Sequence, residues 1–197
     1  MRSLLLMSGG LDSTAVAFSI KERDYDCLFL DYGQRSAKMQ RRYVKENCGK
    51  LGKRVIELDI KKLGDFFAEG YWMRPHEPIV HRNVILLAIA ITYAKEKGYD
   101  KVILATVNEE CDYETNKPNI IRELKRLGEV MGIEVNTPYI NLGKSLLLKI
   151  GISHGMDPAK TYSCLLGHEK HCGKCSQCLH RKLAFKALGL IDPTQYI

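Results

Sequence analysis

Ser8-Gly9-Gly10-Leu11-Asp12-Ser13 decides the reading of this chain. An apolar run, Leu4-Leu5-Leu6-Met7, leads into it, and a helical pattern over residues 14–21 follows. A strand that empties through two glycines into a helix makes an anion cradle. Glycine lets the backbone come close to a phosphate, and the helix start aims unpaired N–H groups at its charge.

The same alternation continues outward from this loop. Strands are expected at residues 3–7, 27–31, 54–58, 101–105 and 134–139. Helices are expected at 14–21, 37–51, 82–97, 120–131, 144–153 and 179–188. Strands separated by helices imply an α/β fold with a doubly wound, mainly parallel five-stranded sheet. Such a sheet binds ligands at the carboxyl ends of its strands, where Ser8, Tyr32, Asn108 and Asn141 would converge. The 82–97 stretch is apolar nearly all round (Val84, Ile85, Leu86, Leu87, Ile89, Ile91), so a buried helix is expected there. Residues 61–80 have weak periodicity, one Trp and two prolines, and read as an insertion or lid.

The 197 residues suit one nucleotide-binding domain over 1–160 with a small C-terminal segment over 161–197 packed on it. The net charge is +7, and part of the excess sits late, at Lys160, Lys170, Lys174, Arg181, Lys182 and Lys186. Such a field attracts polyphosphate, a carboxylate substrate or RNA; it also describes an ordinary solvated surface. The opening apolar run is too short for a secretory signal. The longest one, residues 84–91, falls far short of the ~20 residues that span a bilayer. A cytoplasmic location and no membrane partner are expected.

Four of the seven cysteines are packed into the tail: Cys164, Cys172, Cys175 and Cys178. Two overlapping Cys-x-x-Cys pairs bring thiolates within reach of one tetrahedral ion, and Gly173 eases the turn between them. Four thiolates leave no open position, so a zinc ion here would be structural, pinning the tail to the domain. Lys170, His171, Lys174 and Arg181 are placed to soften its negative charge. An iron–sulfur cluster competes, because Cys172, Cys175 and Cys178 also match the opening of a ferredoxin run. Cys27 and Cys48 read as packing residues. Cys111 reads as a loop cysteine near the site, with a sulfur carrier as the functional alternative.

Gly143-Lys144-Ser145 ends like a phosphate-binding P-loop, but Pro138 stands where that motif needs its first glycine. A P-loop NTPase is therefore excluded. Ser-Gly-Gly-x-Asp-Ser instead resembles the signature loop of the ATP pyrophosphatases, the PP-loop enzymes, which cut ATP between its α and β phosphates. Further segments extend the likeness: Tyr32-Gly33-Gln34-Arg35, His81-Arg82-Asn83, Val107-Asn108-Glu109-Glu110, Asp112-Tyr113 and Thr161-Tyr162-Ser163-Cys164 with the cysteines beyond it. Together they resemble the 7-cyano-7-deazaguanine synthase family over nearly the whole chain.

That resemblance implies a ligase that uses ATP and ammonia to turn a deazaguanine carboxylate into a nitrile, with Mg²⁺ accompanying ATP. It implies that Ser8, Gly9, Gly10, Leu11, Asp12, Ser13 and Thr14 hold the nucleotide, Asp12 also meeting Mg²⁺. Arg35, Arg82 and Lys144 would neutralise phosphate or carboxylate charge, and Asn108 and Asp112 would orient base or nucleophile. A homodimer is implied too, and no nucleic-acid partner. One departure bears on the substrate. The family's loop after its Asp-Tyr pair runs Gly-Tyr-Pro-Asp-Cys-Arg-Pro, whereas this chain has Glu114-Thr115-Asn116-Lys117-Pro118. The alternative is a related PP-loop enzyme that adenylates a different carboxylate or a tRNA base, for thiolation or lysidine-type modification.

Overall fold

The computed structural model describes residues 1–73, 75–107 and 117–197. Five parallel strands form one sheet: β1 (Ser3–Leu6), β2 (Tyr25–Asp31), β3 (Val55–Asp59), β4 (Lys101–Leu104) and β5 (Glu134–Asn136), in the order β3-β2-β1-β4-β5. Side chains alternate across a strand. Leu5, Cys27, Phe29 and Ile103 therefore enter a core on one face, while Leu4, Leu28, Leu30 and Val102 enter a core on the other. With both faces covered, the strands read as unbroken apolar runs. In register, Leu5 lies beside Cys27 on one side and Ile103 on the other.

Helices α1 (Leu11–Ser19) and α2 (Ala37–Lys50) carry the chain from β1 to β2 to β3, contributing Ala15, Val16, Val44 and Cys48 to the first core. After the short α3 (Lys61–Phe67), the chain returns past β1. Helices α4 (Arg82–Glu96) and α5 (Pro118–Val130) cover the second face with Leu87, Ala90, Ile91, Ala94, Ile121 and Leu124. The direction of winding thus reverses between β1 and β4, which opens a crevice at their carboxyl ends.

Helices α6 (Lys144–Ser153) and α7 (Ser176–Ala187) then fold back onto the first face. A Cβ at Gly151 would lie 2.8 Å from the Cβ of Ala15, so α6 can sit this close to α1 only with glycine there. Ala184 and Phe185 of α7 join the same core as the sheet.

Three expectations shift. The first helix begins at Leu11, so Asp12 and Ser13 occupy its first turn, with Gly10 as the N-cap. The last helix begins at Ser176, directly after Cys175. Finally, α4 is buried along one side only: Leu87, Ala90, Ile91 and Ala94 are inside, and Val84 is 38% exposed. An all-round apolar helix announces burial, but a single sheet face covers only half a cylinder. Among the described residues, no helix is long and apolar enough to cross a membrane.

Candidate functional site

The loop after β1 has its shape imposed by Gly9. Its φ is +69°, and a Cβ there would lie 2.6 Å from the Gln40 carbonyl oxygen. A side chain fails on both counts. Ser8 and Ser13 close the loop: their hydroxyls are 3.0 Å apart, and the Ser8 amide donates to Ser13 Oγ at 3.2 Å. The Gly10 amide donates to Ser8 Oγ at 3.3 Å. Past Gly10, the first turn of α1 supplies amides with no acceptor inside the helix.

Two other helices begin at the same place. Lys144, the first residue of α6, is only 5% exposed, and its Nζ donates to Asp12 Oδ2 at 2.6 Å. A buried ammonium is tolerable because that carboxylate faces it. Arg82, the first residue of α4, lies 3.4 Å from Glu77 Oε2. The Tyr32 hydroxyl donates to the same Oε2 at 2.7 Å. Burial holds the Tyr32 phenol well above its ordinary pKa, so it keeps its proton and remains a donor. Gln34 fixes the turn that presents Tyr32: its Oε1 accepts from the Tyr32 amide at 3.0 Å, and its Nε2 donates to the Leu30 carbonyl and to Gln40.

These groups surround a cavity of about 200 Å³ at the winding reversal. Ser8, Gly10, Leu11, Asp12, Ser13 and Lys144 make one wall. Tyr32, Gln34, Gln40, Glu77, Arg82 and Asn83 make another, Ala105 and Thr106 lie past β4, and Tyr162, Ser163 and His180 come from the tail. Thr106 is 3% exposed, and its hydroxyl has no partner among the described residues. A cradle of amides, a buried ammonium and an arginine suit a polyanion; the apolar strand ends suit a flat ring.

The sulfurs of Cys164, Cys172, Cys175 and Cys178 all lie within 4.8 Å of one another, so they could hold a metal ion. Their donor chemistry fits. The amides of Leu166 and Cys172 donate to Cys164 Sγ at 3.5 and 3.4 Å. Those of Lys174 and Cys175 donate to Cys172 Sγ at 3.5 and 3.3 Å. Burial works to raise the Cys172 thiol, but these two amides together with hydrogen bonds from the Cys164 and Cys175 thiols outweigh it and bring the thiol down to about 7. Burial pushes the Cys178 thiol up; a metal ion would reverse that, since a coordinating thiol is deprotonated outright.

Two basic neighbours differ from their expected role. Burial and the charge of Arg181 hold His171 down to about 4, and its Nε2 accepts from the Ser163 amide at 3.0 Å, so it brings no charge. Arg181 is 1% exposed; it pairs with Asp192 and donates to Thr161 Oγ1 at 2.6 Å and to the Pro158 carbonyl. It anchors α7 to the strap before the cysteines. The strap in turn reaches the first loop, where the Tyr162 amide donates to the Gly9 carbonyl at 2.8 Å.

Of the residues singled out from sequence, Ser8, Gly10, Leu11, Asp12, Ser13, Arg82 and Lys144 line the cavity. Gly9 shapes the loop from behind, and Thr14 is fully buried beneath it. Arg35 is exposed and lies off the cavity wall. Its carbonyl backs onto Gly167, where a Cβ would approach to 2.1 Å. Asn141 is exposed and also off the wall, whereas Tyr32 lies on it. Asn108, Cys111 and Asp112 lie outside the described residues. Sequence reasoning missed Glu77, Gln40 and Thr106. Glu77 had no periodic context, but Thr106 follows a strand just as Ser8 does, and that signal could have found it.

Comparison with known proteins agrees with the fold. The solved U34-tRNA thiolase NcsA from Methanococcus maripaludis superposes with a TM-score of 0.58 at 13% identity, covering 96% of this chain and 66% of that one. NMN synthetase from Francisella tularensis gives 0.57 at 13% identity, covering 96% and 77%. These likenesses concern the fold alone. In sequence, 7-cyano-7-deazaguanine synthase 1 of Sulfurisphaera tokodaii is 54% identical, over all of this chain and 98% of that protein. The 7-cyano-7-deazaguanine synthase of Psychromonas ingrahamii is 31% identical over 98% of this chain and 96% of its own length. The family described as queuosine biosynthesis protein QueC matches residues 2–189, and this chain belongs to that family.

Proposed function

We propose that this chain is an ATP-dependent carbon–nitrogen ligase that converts 7-carboxy-7-deazaguanine, with ammonia, into 7-cyano-7-deazaguanine. The observation that carries the reading is the Ser8–Ser13 loop. It opens with Lys144 onto a cavity also lined by Leu6, Leu28, Leu30 and Leu104, in a chain 54% identical to a synthase of that name.

A carboxylate resists attack because its negative oxygen cannot leave. Its oxygen first attacks the α-phosphorus of ATP, and pyrophosphate departs. Ammonia then attacks the acyl carbon, AMP departs, and an amide remains. The amide oxygen is adenylylated by a second ATP, again releasing pyrophosphate. Loss of AMP, with the remaining N–H protons going to solvent, leaves the nitrile. Each step asks for alignment and for neutralisation of growing charge, which fixed amides and cations provide.

In this reading the Ser8–Ser13 loop, Thr14 included, seats the phosphates. Lys144 and Arg82 balance charge, Asp12 meets Mg²⁺ with the phosphate oxygens, and Asn108 and Asp112 orient the reactants. Arg35, exposed and off the cavity wall, is the third cation of this reading. Residues 1–160 form the nucleotide-binding unit and 161–197 the metal-bearing segment. This reading assigns zinc: a single ion with Zn–S bonds of about 2.3 Å needs sulfurs about 3.8 Å apart, and support comes from four sulfurs within 4.8 Å of one another, Cys172 and Cys178 at 4.0 Å. A cluster of several irons would need its ligand sulfurs spread wider. In this reading the protein works as a homodimer in the cytoplasm.

Mass spectrometry after incubation with ATP, ammonium and 7-carboxy-7-deazaguanine tests this reading. The nitrile mass, with AMP and pyrophosphate, is the expected outcome. Pyrophosphate released only in the presence of tRNA would overturn it.

A further inference from the structure

Glu77 is out of place in a cavity built for polyphosphate. It brings negative charge into the same space as the Ser8–Ser13 loop and Lys144. The other carboxylate among the described lining residues, Asp12, is engaged by Lys144 at 2.6 Å. Glu77 is instead held from the side: the Tyr32 hydroxyl at 2.7 Å and Arg82 at 3.4 Å both address Oε2, and Oε1 takes neither contact. An ionised carboxylate offers about four acceptor sites. Two protein contacts on one oxygen therefore leave capacity on both for a ligand that brings donors.

The chemistry selects which ligand. A phosphate chain brings only acceptors and is repelled. The pairing edge of adenine presents an acceptor beside its amino group, and a carboxylate cannot satisfy both. The pairing edge of a guanine-type ring presents two adjacent donors, the ring N–H and the 2-amino group, which match the two oxygens of a carboxylate. That edge lies across the bicycle from the five-membered ring that carries the carboxyl group. With the edge on Glu77, the reacting carboxyl group lies at the other end of the ligand, in the cavity that the Ser8–Ser13 loop also lines.

We propose that Glu77, held by Tyr32 and Arg82, is the residue that recognises the guanine-type edge of the substrate and sets specificity for a 2-amino base. The inference rests on the function proposed above. It also explains how a chain with the altered stretch Glu114–Pro118 reads its base: recognition comes from the wall between β2 and α4.

Calorimetry with two ligands tests it: 7-carboxy-7-deazaguanine and the same base lacking the 2-amino group. The native protein should prefer the aminated base by roughly 10- to 100-fold, the worth of a bidentate pair. In Glu77→Gln, which keeps size and an acceptor for Tyr32, the preference should collapse toward unity while ATP affinity holds. General damage would weaken both bases alike and leave the ratio intact. No preference in the native protein, or an unchanged preference in the variant, overturns the role of Glu77. If nitrile still forms in those cases, the ligase reading survives; if the native protein forms none, both fall.

Discussion

Two turns in this molecule use one backbone device for opposite ends. The loop at Ser8–Ser13 and the knuckle at Cys172–Cys178 each contain a glycine in the left-handed region, Gly9 at φ +69° and Gly173 at +70°. Each runs directly into a helix, α1 or α7. Each aims amides at negative charge. In the knuckle that charge is built in, because the Lys174 and Cys175 amides already have Cys172 Sγ as their acceptor. In the first loop the Ser8 and Gly10 amides meet the hydroxyls of Ser13 and Ser8, and its one acid faces Lys144, so under the proposed function the start of α1 is left to meet an anion that arrives with a ligand. Backbone geometry makes the donors. The side chains decide whether the charge they meet stays or turns over.

Four changes separate the two turns. The largest effect falls on the anchor of the knuckle. Asp192→Asn leaves the guanidinium of Arg181 buried without its counter-charge, which costs about 3–5 kcal/mol, read by urea denaturation. The same pair gives the native protein an acid limit. Burial works to raise the Asp192 carboxyl, but the hydrogen bonds from Tyr196 and Thr194 and the charge of Arg181 hold it below its usual range. Its stabilisation is therefore full above the unfolded value near ~3.9 and is lost as pH falls through the lower folded value. Denaturation midpoints between pH 5 and pH 2 should fall more steeply in the native protein than in Asp192→Asn, which keeps only the acid-sensitive contacts of other carboxylates such as Glu57.

Lys144→Met should cut pyrophosphate release by roughly 10²- to 10³-fold, the scale of a lost charge-stabilising donor. Metal content by elemental analysis should stay unchanged, and a parallel loss of metal would erase the distinction between the turns. Gly9→Ala combines a left-handed φ with a clash against the Gln40 backbone carbonyl and should cost about 2–4 kcal/mol, along with ATP binding. Gly173→Ala meets the movable tip of Lys182 at 2.9 Å and should cost about 1–2 kcal/mol. Equal penalties in thermal melts would show that the two glycines are held equally tightly.

What could be read from the sequence follows from how local each cause is. The strands announced themselves because a sheet buried on both faces demands unbroken apolar runs, as at Leu4–Leu6 and Cys27–Leu30. The loop was legible because glycine, acid and hydroxyl sit within six consecutive residues. Lys144 was noticed in a motif that failed, yet a helix that begins at Lys144, behind its N-cap Gly143, brings it to Asp12 of the first loop all the same. Glu77 was invisible. It sits between Pro75 and Pro78 in a stretch with no period, and its meaning comes from Tyr32, 45 positions earlier. His171 looked like a cation among cysteines, whereas its environment makes it a neutral acceptor. The outer side of α4 could not be told from its inner side, because composition does not say how many surfaces are available to cover a helix.

The hydrogen bond from Tyr162 to Gly9 has a consequence for synthesis. On the ribosome, every residue of the phosphate turn emerges within the first moments of translation. The amide that its Gly9 carbonyl accepts from belongs to Tyr162 and follows much later in the polypeptide. A nascent chain halted anywhere before Tyr162 thus lacks the amide from which the Gly9 carbonyl accepts in the finished fold.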